Sequence, residues 1–564
     1  MKQRWRFLSV GLVFLVLSAW GAFAAEPPDC PIHLVDMTAD SGITFRHNHG
    51  GSGQGYIVQG MVAGLVLFDY DADGYIDIYF LNGAPLKGTV LDKTPRNALY
   101  RNNGDGTFSD VTEQASVGDA GFGLGVTAGD YDNNGFPDLY LNNHGPNVLY
   151  RNNGDGTFSN VTESSGVRNG DTVGAGASFL DIEGDGDLDL YVSNYVDFTY
   201  ENHVPIIIDG HAYQAGPRYY NPVPDTLYRN NGDGTFTDIS ETSGVGAHAG
   251  PGMGMVCGDF DNDGDTDVFI CHDGQANFLF RNDGHGNFEE VGLMAGVAYD
   301  FDGKENSSMG VDCGDYNNDG HLDLFMTDYQ VEMPVLYRNL GGGFFEDATS
   351  AARITNDFYP HVNWGTGFGD FDNDGNRDLF VACGHFDRIE TLDDRTALKI
   401  PNFLLMNTGN GKFVDVSSRC GDGLKIVESS RGIGLDDLDN DGDPDVVILN
   451  SHAPPNVLRN DSMTDHHWLQ IRAIGRESNR QAVGARARVV AGDLKQVAEI
   501  HSGRGYQSHF GTRLQFGLGD RDQVDRVEIR WPGGRTEQFR DLQVDQLVTL
   551  VEGEGTRSET LAVD

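Results

Sequence analysis

Short runs of strand-type residues, alternating apolar with polar or continuously apolar, recur along most of the chain and are bounded by turn-rich segments. Seven of these runs, among them IDIYFLN, PDLYLNN and RDLFVAC, follow directly on one polar pattern, D-x-[DNE]-x-[DN]-G-x-x-D. The pattern occupies residues 69–77, 130–138, 181–189, 259–267, 315–323, 370–378 and 437–445. A second element lies between the loops: NALYRNNGDGTFSDVT from Asn97, NVLYRNNGDGTFSNVT from Asn147, DTLYRNNGDGTFTDIS from Asp225 and NFLFRNDGHGNFEEV from Asn277. Degenerate copies begin at Pro334, Pro401 and Pro455. Each copy reads as strand, Gly-Asn-Asp turn, strand, which is a hairpin. One repeat is therefore four strands: A, acidic loop, B, variable connection, C, NNGDG turn, D. The first and last loops start 368 residues apart, so the six intervals average about sixty residues. Four-stranded units repeated radially make a β-propeller, and the expected fold is all-β with seven blades.

After the seventh NVLRN, at Asn456, the chain leaves the pattern without supplying a D strand. The segment HLVDMTADSGI from His33 aligns with TFSDVTEQASV of a D strand, so the N-terminal strand is expected to complete the last blade. That arrangement hides a sheet edge that would otherwise be open to pairing.

The chemistry of the loops follows from their spacing. Acidic residues at positions 1, 3, 5 and 9, with glycine at 6 for the sharp turn, bring several carboxylate oxygens around one point, which suits the six to eight oxygen ligands of calcium. The candidate ligands are Asp69, Asp71, Asp73 and Asp77; Asp130, Asp132, Asn134 and Asp138; Asp181, Glu183, Asp185 and Asp189; and Asp259, Asp261, Asp263 and Asp267. The remaining loops offer Asp315, Asn317, Asp319 and Asp323; Asp370, Asp372, Asp374 and Asp378; and Asp437, Asp439, Asp441 and Asp445. Up to seven Ca2+ ions are implied. Position 7, variable in type, is left to supply a backbone carbonyl. Asn134 and Asn317 replace carboxylates, and Glu183 lengthens another ligand, so these three loops should bind most weakly. A single acidic turn would say little, because Asp, Asn and Gly favour turns for their own reasons; seven in frame say more. EF-hands are excluded, since they require Glu at position 12, and here that position is Phe80, Leu141, Val192, Ile270, Met326, Val381 and Ile448.

These repeats resemble the FG-GAP/VCBS repeats of integrin-α-type propellers. The segments HHWLQIRAIG, NRQAVGARARVV, GYQSHFGTRLQFGLG and VDRVEIRWPGGRTEQF resemble the ASPIC/UnbV domain, the C-terminal module of cartilage acidic protein-like proteins. Read from its residues alone, that stretch is a small β-rich domain in which Val527, Ile529 and Trp531 alternate with Glu528 and Arg530, and a cap on the propeller without a site of its own is the plainer reading. The expected division is signal peptide 1–24, propeller 25–465, ASPIC/UnbV domain 466–553 and flexible tail 554–564.

The signal peptide is read from Lys2, Arg4 and Arg6, an apolar run from Phe7 to Trp20, and Ala22-Phe23-Ala24. The run is short for a membrane span and no other candidate exists, so export to the periplasm or beyond as a monomer is expected. The whole chain carries 39 Lys and Arg against 85 Asp and Glu, a formal charge of −46. This imbalance argues against nucleic acid and anionic membrane as partners and for folding linked to cation binding. Six cysteines, Cys30, Cys257, Cys271, Cys313, Cys383 and Cys420, are compatible with disulfides in an oxidising compartment. Spacing leaves the pairings open: Cys257 and Cys271 flank one loop and could pair across strands, or remain buried thiols.

The A-to-B and C-to-D turns lie at one end of an up-and-down blade, so the constant turns share one face. The long connections, residues 47–60, 195–224, 299–308, 354–364 and 384–400, lie on the other. Diverse loops on a rigid scaffold form a binding surface. That face collects His144, His272, His385 and His452, with His47, His49, His211, His361, Tyr213, Tyr219, Tyr220, Tyr359 and Trp364. Converging imidazoles are one reading; turn-tolerant residues after a strand are the plainer one. No G-x-S-x-G elbow occurs, the paired acids are already assigned to the loops, and Trp364, Trp468 and Trp531 are too few for the tryptophan docking of quinoprotein propellers. The sequence therefore favours a non-enzymatic binder of a periplasmic or extracellular protein or glycan, with a calcium-dependent carbohydrate-active enzyme such as a polysaccharide lyase as the alternative. A deep axial pocket lined by basic residues and Tyr would favour the alternative, shallow loops adhesion; the basic candidates are Arg46, Arg218, Lys304 and Arg388.

Overall fold

A computed structural model describes residues 30–557; the proposed signal peptide lies outside them. Seven four-stranded antiparallel sheets account for residues 34–36 and 65–460. The first contains Leu65–Phe68, Asp77–Phe80, Ala98–Asn102 and Phe108–Asp110, in that order from the axis outward. Five more repeat the pattern, and the seventh joins Ser430–Asp436, Asp445–Asn450 and Asn456–Asn460 to Leu34–Asp36 from the start of the described chain. The innermost strands touch in sequence order, and the first, Leu65–Phe68, also contacts the last, Ser430–Asp436.

The alignment of the N-terminal segment with the D strands is visible in side-chain bonds. In the regular sheets a Thr or Ser just after strand D accepts from strand C: Leu99 N–H donates to Thr112 Oγ1 at 2.9 Å and Leu149 N–H to Thr162 Oγ1 at 2.9 Å. At the seventh sheet Val457 N–H donates to Thr38 Oγ1 at 3.1 Å, so Asp36-Met37-Thr38 takes the place of Asp110-Val111-Thr112. The one-turn helix after strand D, such as Thr112–Ala115, was not expected from the strand pattern; Asp110 Oδ1 initiates it by accepting the Thr112 N–H at 3.0 Å.

Two repeated devices hold neighbouring sheets together. Five residues before each acidic loop stands a glycine on or just before the innermost strand, at positions 64, 125, 176, 254, 310, 365 and 432. A Cβ on Gly310 would meet the Trp364 carbonyl, on Gly365 the Arg431 carbonyl and on Gly432 the Ala63 carbonyl, so each glycine admits the backbone of the next sheet near the axis. Farther out, the asparagine that ends strand C bridges to the preceding sheet. Asn152 Nδ2 donates to Tyr70 O at 2.9 Å, Asn230 to Tyr131 O at 2.9 Å, Asn339 to Phe260 O at 2.8 Å and Asn102 to Leu438 O of the seventh sheet at 2.8 Å.

One disulfide joins Cys30 to Cys420, with Cα atoms 5.7 Å apart, and ties the N-terminal segment to the connection between the sixth and seventh sheets. Cys257, Cys271, Cys313 and Cys383 are buried thiols. Cys257 and Cys271 do pass on adjacent strands, but Cys257 stands opposite Val268, out of register for a bridge.

Beyond the propeller the chain forms a three-stranded sheet of His467–Ile474, Leu514–Gly519 and Gln546–Val551 and a five-stranded sheet from Arg486–Ala491 to Thr556–Arg557. Val527, Ile529 and Trp531 are buried between them, as their alternation implies. Residues 556–557 pair with Glu537 and Gln538, within the stretch read from sequence as a tail. Residues 502–510 leave this unit and run along the propeller axis. Gly505 bridges Val311, Leu67 N–H donates to His509 O at 2.9 Å, and Arg504 Nε donates to the buried Asp312 Oδ1 at 2.6 Å. A channel that a bare propeller would leave open is thus filled by the C-terminal segment.

Replacing Asn102 with Ala orphans the Leu438 and Ile76 carbonyls; a loss of about 3 kcal/mol in unfolding free energy is expected, measured by urea titration. Deleting residues 30–44 should expose the edge of Asn456–Asn460 and cause aggregation on size-exclusion chromatography; a soluble monomer of unchanged stability would refute that role.

Candidate functional site

Every acidic loop has the same skeleton. The fourth residue is left-handed, with Asn133, Asn262, Asn318, Asn373 and Asn440 at φ of 55–65°, a conformation asparagine tolerates. The glycine at position 6 follows, for example Gly74 at φ 92° and Gly264 at φ 108°. Its N–H donates to the first Asp, at 3.1 Å from Gly74 to Asp69 Oδ2 and at 2.7 Å from Gly135 to Asp130 Oδ2. The ninth-position acids, Asp77, Asp138, Asp189, Asp267, Asp323, Asp378 and Asp445, are buried at the entry to strand B. Each accepts two backbone N–H groups: Asp77 takes Tyr70 N–H at 3.1 Å and Asn102 N–H at 2.8 Å, and Asp445 takes Leu438 N–H at 2.8 Å and Asn460 N–H at 2.8 Å. These acids fix the loop to strands B and C.

Acid oxygens converge within 4.8 Å in five loops: Asp69, Asp71 and Asp77; Asp130, Asp132 and Asp138; Asp259, Asp261 and Asp263; Asp370, Asp372 and Asp374; Asp437, Asp439 and Asp441. Asp73, Asp267, Asp378 and Asp445 stand in the same loops outside the triads, and Asn134 donates its Nδ2 to Asn152 O at 3.0 Å. Among the described residues the third loop, with Asp181, Glu183, Asp185 and Asp189, and the fifth, with Asp315, Asn317, Asp319 and Asp323, form no such triad. In the third, Gly184 and Asp185 N–H both donate to Asp181 Oδ1, at 2.8 and 3.2 Å. In the fifth, Asn317 Oδ1 accepts the Asp319 N–H at 3.0 Å.

The triads fit a hard divalent cation. Asp69 Oδ1, Asp71 Oδ1 and Asp259 Oδ1 are buried and lack a hydrogen-bond donor. Burial, with the neighbouring acids adding to it, pushes Asp130 up to about 6 and Asp77 up to about 8. A buried carboxylate cluster of this kind is costly without a compensating cation. Arginines supply part of the compensation. Arg101 reaches Asp71 and Asp73 at 2.7 Å each, and Arg530 of the C-terminal unit bonds Asp259 Oδ2. That unit sits on the loop face: Gln470 Nε2 donates to Asp437 Oδ2 at 2.8 Å, and Asp130 N–H donates to Gln481 Oε1 at 2.7 Å.

At the opposite end of the axis, the connections 47–60, 195–224 and 384–400 surround a cavity of about 1160 Å3. His49, His211, His385, His452, Tyr213 and Trp364 line it, with Arg46, Arg218 and Arg388. Arg431 and Lys399 line it as well and were not singled out by the sequence pattern; Lys304 does not. His144 and His272 lie elsewhere, packed against Phe198 and Phe278, and His361 bonds Thr396 at 3.0 Å. His47 is buried beside the cavity and its Nδ1 accepts His452 N–H at 3.2 Å. Tyr219 and Tyr359 are exposed and Tyr220 packs on Phe198. No three histidines converge as metal ligands among the described residues. The hairpin Ile206–Ile208 and His211–Tyr213 crosses the mouth, where Tyr213 Oη and Thr391 Oγ1 meet at 2.8 Å. At the floor, Trp364 packs edge-on against Tyr506 of the axial segment, ring centroids 5.0 Å apart.

Acid-loop sheets set around an axis, carrying a β-rich unit on the loop face, define a class of propellers built on repeated acidic turns. The FG-GAP-like repeat family matches residues 69–141, 130–192, 215–270, 259–326 and 315–381, and the ASPIC and UnbV family matches residues 475–557. The chain belongs to the FG-GAP repeat proteins that carry a C-terminal ASPIC/UnbV domain. Cartilage acidic protein 1 of Homo sapiens is 24% identical over 498 residues, covering 85% of this chain and 61% of that protein. This chain thus spans about three fifths of the human relative. Among solved structures, it is similar to an Agrocybe aegerita lectin specific for non-reducing terminal N-acetylglucosamine, with TM-score 0.36, 18% identity and coverage of 63% of this chain and 79% of that one. It is also similar to the rhamnogalacturonan lyase YesW, with TM-score 0.35, 13% identity and coverage of 76% and 75%.

Chelation should lower the melting temperature by several degrees, and calcium should restore it. An acid raised by burial favours the protonated native state, so the metal-free protein loses stability as pH rises from about 4, the unfolded value, to about 6 for Asp130. Below that range protons compete with the cation. The gap in melting temperature between calcium-loaded and chelated protein should therefore widen from about pH 5 to 7; scanning fluorimetry at each pH measures it.

Proposed function

We propose that this is an exported, calcium-stabilised propeller that binds a glycan in the cavity on its variable-loop face and acts there as a binding protein. The cavity carries the reading. At about 1160 Å3 it exceeds the range of about 300–1,000 Å3 common for small-ligand sites, and it combines apolar walls with amides, hydroxyls and imidazoles. A concave, open-mouthed cavity suits a saccharide better than a protein surface, which needs a broad contact area.

A deep pocket of this kind is also what the carbohydrate-active alternative calls for. Binding without chemistry is favoured because side chains suited to acid–base work are engaged within the protein. His385 Nε2 meets Gln330 Oε1 at 3.0 Å while its Nδ1 accepts Phe386 N–H at 2.8 Å. Tyr195 Oη donates to Asp273 Oδ2 at 2.6 Å. Burial pushes His385 down to about 3, which keeps it neutral.

Calcium in the five acid triads, and in as many as seven loops, is supported by the orphaned oxygens of Asp69, Asp71 and Asp259. Export is supported by the leader-like start of the sequence and by the Cys30–Cys420 bridge, which suits an oxidising compartment. The domain division at residues 465 and 466 belongs to the same proposal. A glycan array, run beside an assay for unsaturated uronide release, tests the function. Bound saccharide without product is expected, and product release would make the protein an enzyme.

A further inference from the structure

The residue six places before each acidic loop is buried at or just before the innermost strand. Six of these seven positions are apolar: Ala63, Leu124, Ala175, Met253, Met309 and Trp364. The seventh is Arg431, and it is 1% exposed. Its guanidinium lies 4.1 Å above the Trp364 ring. Nε donates to Gly60 O at 3.2 Å, Nη1 to Ser429 Oγ at 3.0 Å and Ser430 O at 2.9 Å, and Nη2 to His385 O at 3.4 Å. All four partners are neutral. Asp387 acts on it through its field only, so among the described residues this buried charge has no ion-pair partner.

The rest of the cavity repeats the imbalance. Arg46, Arg218 and Arg388 line its wall, and among the described residues neither they nor Arg431 enter an ion pair. Lys399 does, at 2.6 Å from Glu428. Two acids line the cavity: Asp273, which accepts the Tyr195 hydroxyl, and Asp387. In a chain where acids outnumber bases 85 to 39, this one cavity reverses the ratio. A concave, low-dielectric wall with an excess of one sign favours a ligand of the other.

We infer that the cavity is a receptor for a carboxylate-bearing saccharide, a short run of uronic acid units, with a ligand carboxylate serving as the counter-ion of Arg431. The inference rests on the glycan-binding reading and adds the charge of the ligand and the residue that selects it. Four of the five Arg431 N–H groups already have protein acceptors, so a ligand carboxylate takes the remaining Nη2 N–H, and the wall arginines outside any ion pair draw further acid groups. Acidic oligosaccharide is favoured over acidic peptide because the hairpin that ends at Tyr213 and the loop at Thr391 meet across the mouth, and ring hydroxyls can use the neutral donors and acceptors beside Arg431.

The test uses the full chain with calcium, and the probes are trigalacturonate, its fully methyl-esterified form, the neutral trisaccharide of galactose, and triglutamate. Calorimetry at low salt should show trigalacturonate binding at least tenfold more tightly than the ester, which keeps the ring shape and loses the charge. Arg431→Met should weaken trigalacturonate at least tenfold in a variant that still melts cooperatively, though at a lower temperature, and Arg431→Lys should weaken it less. Should the Met variant not fold, the acid-against-ester ratio on the unaltered protein decides. Equal affinity for acid and ester, tighter binding of triglutamate, or an Arg431→Met variant that binds as well as the parent overturns the inference while leaving a neutral-glycan site standing. Failure of every saccharide, neutral and acidic, removes the glycan-binding reading and this inference with it.

Discussion

The structure depends on a carboxylate that accepts two backbone N–H groups at the root of each acidic turn. Asp77 and its six counterparts join the turn to strand C across strand B, so the turn cannot shift without opening the sheet. The arrangement places buried acids next to one another, with burial raising their affinity for protons. Backbone donors, a few arginines and a bound cation are the available sources of compensation, and the five loops whose acid oxygens converge are those where a cation has most to offer. The same turn therefore determines local geometry, cohesion of the sheet and the gathering of acids that suits a divalent cation.

Much of this was legible in sequence because it is local. Left-handed residues, the glycine at position 6 and the strand after position 9 all fall within nine consecutive residues, and the chain repeats them seven times. Features that depend on distant parts of the chain were not legible. Asn102 is plain in the LYRN repeat, yet its partner is Leu438, 336 residues away. Cys30 and Cys420 are 390 residues apart, so spacing alone could not select that pairing. The failure of the third and fifth loops to gather three acids agrees with the substitutions Glu183 and Asn317, whereas the second loop gathers Asp138 despite Asn134.

The C-terminal unit shows the limit of reading modules separately. Its alternating residues indicate a self-contained β-rich domain, and Val527, Ile529 and Trp531 do form its core. Nothing in GRGYQSHFG identifies it as an axial filler, because its partners are backbone groups of three different innermost strands. Arg431 was legible only after alignment on the loops, as the single cation among positions otherwise held by Ala, Leu, Met and Trp. The two observations meet at Trp364, which is packed by Tyr506 on one side and by Arg431 on another. The floor of the cavity, formed by the propeller, is therefore backed by the C-terminal segment.

The pairing of Leu34–Asp36 with residues 458–460 has a consequence for biosynthesis. A chain emerging from the ribosome has its first strand in hand for hundreds of residues before the partner exists, and the axial segment follows later still. Contacts of such long range delay folding, so early repeats must wait as open edges. The edge of Asn456–Asn460 and the axis of the ring are thus the last places at which early and late parts of the chain meet.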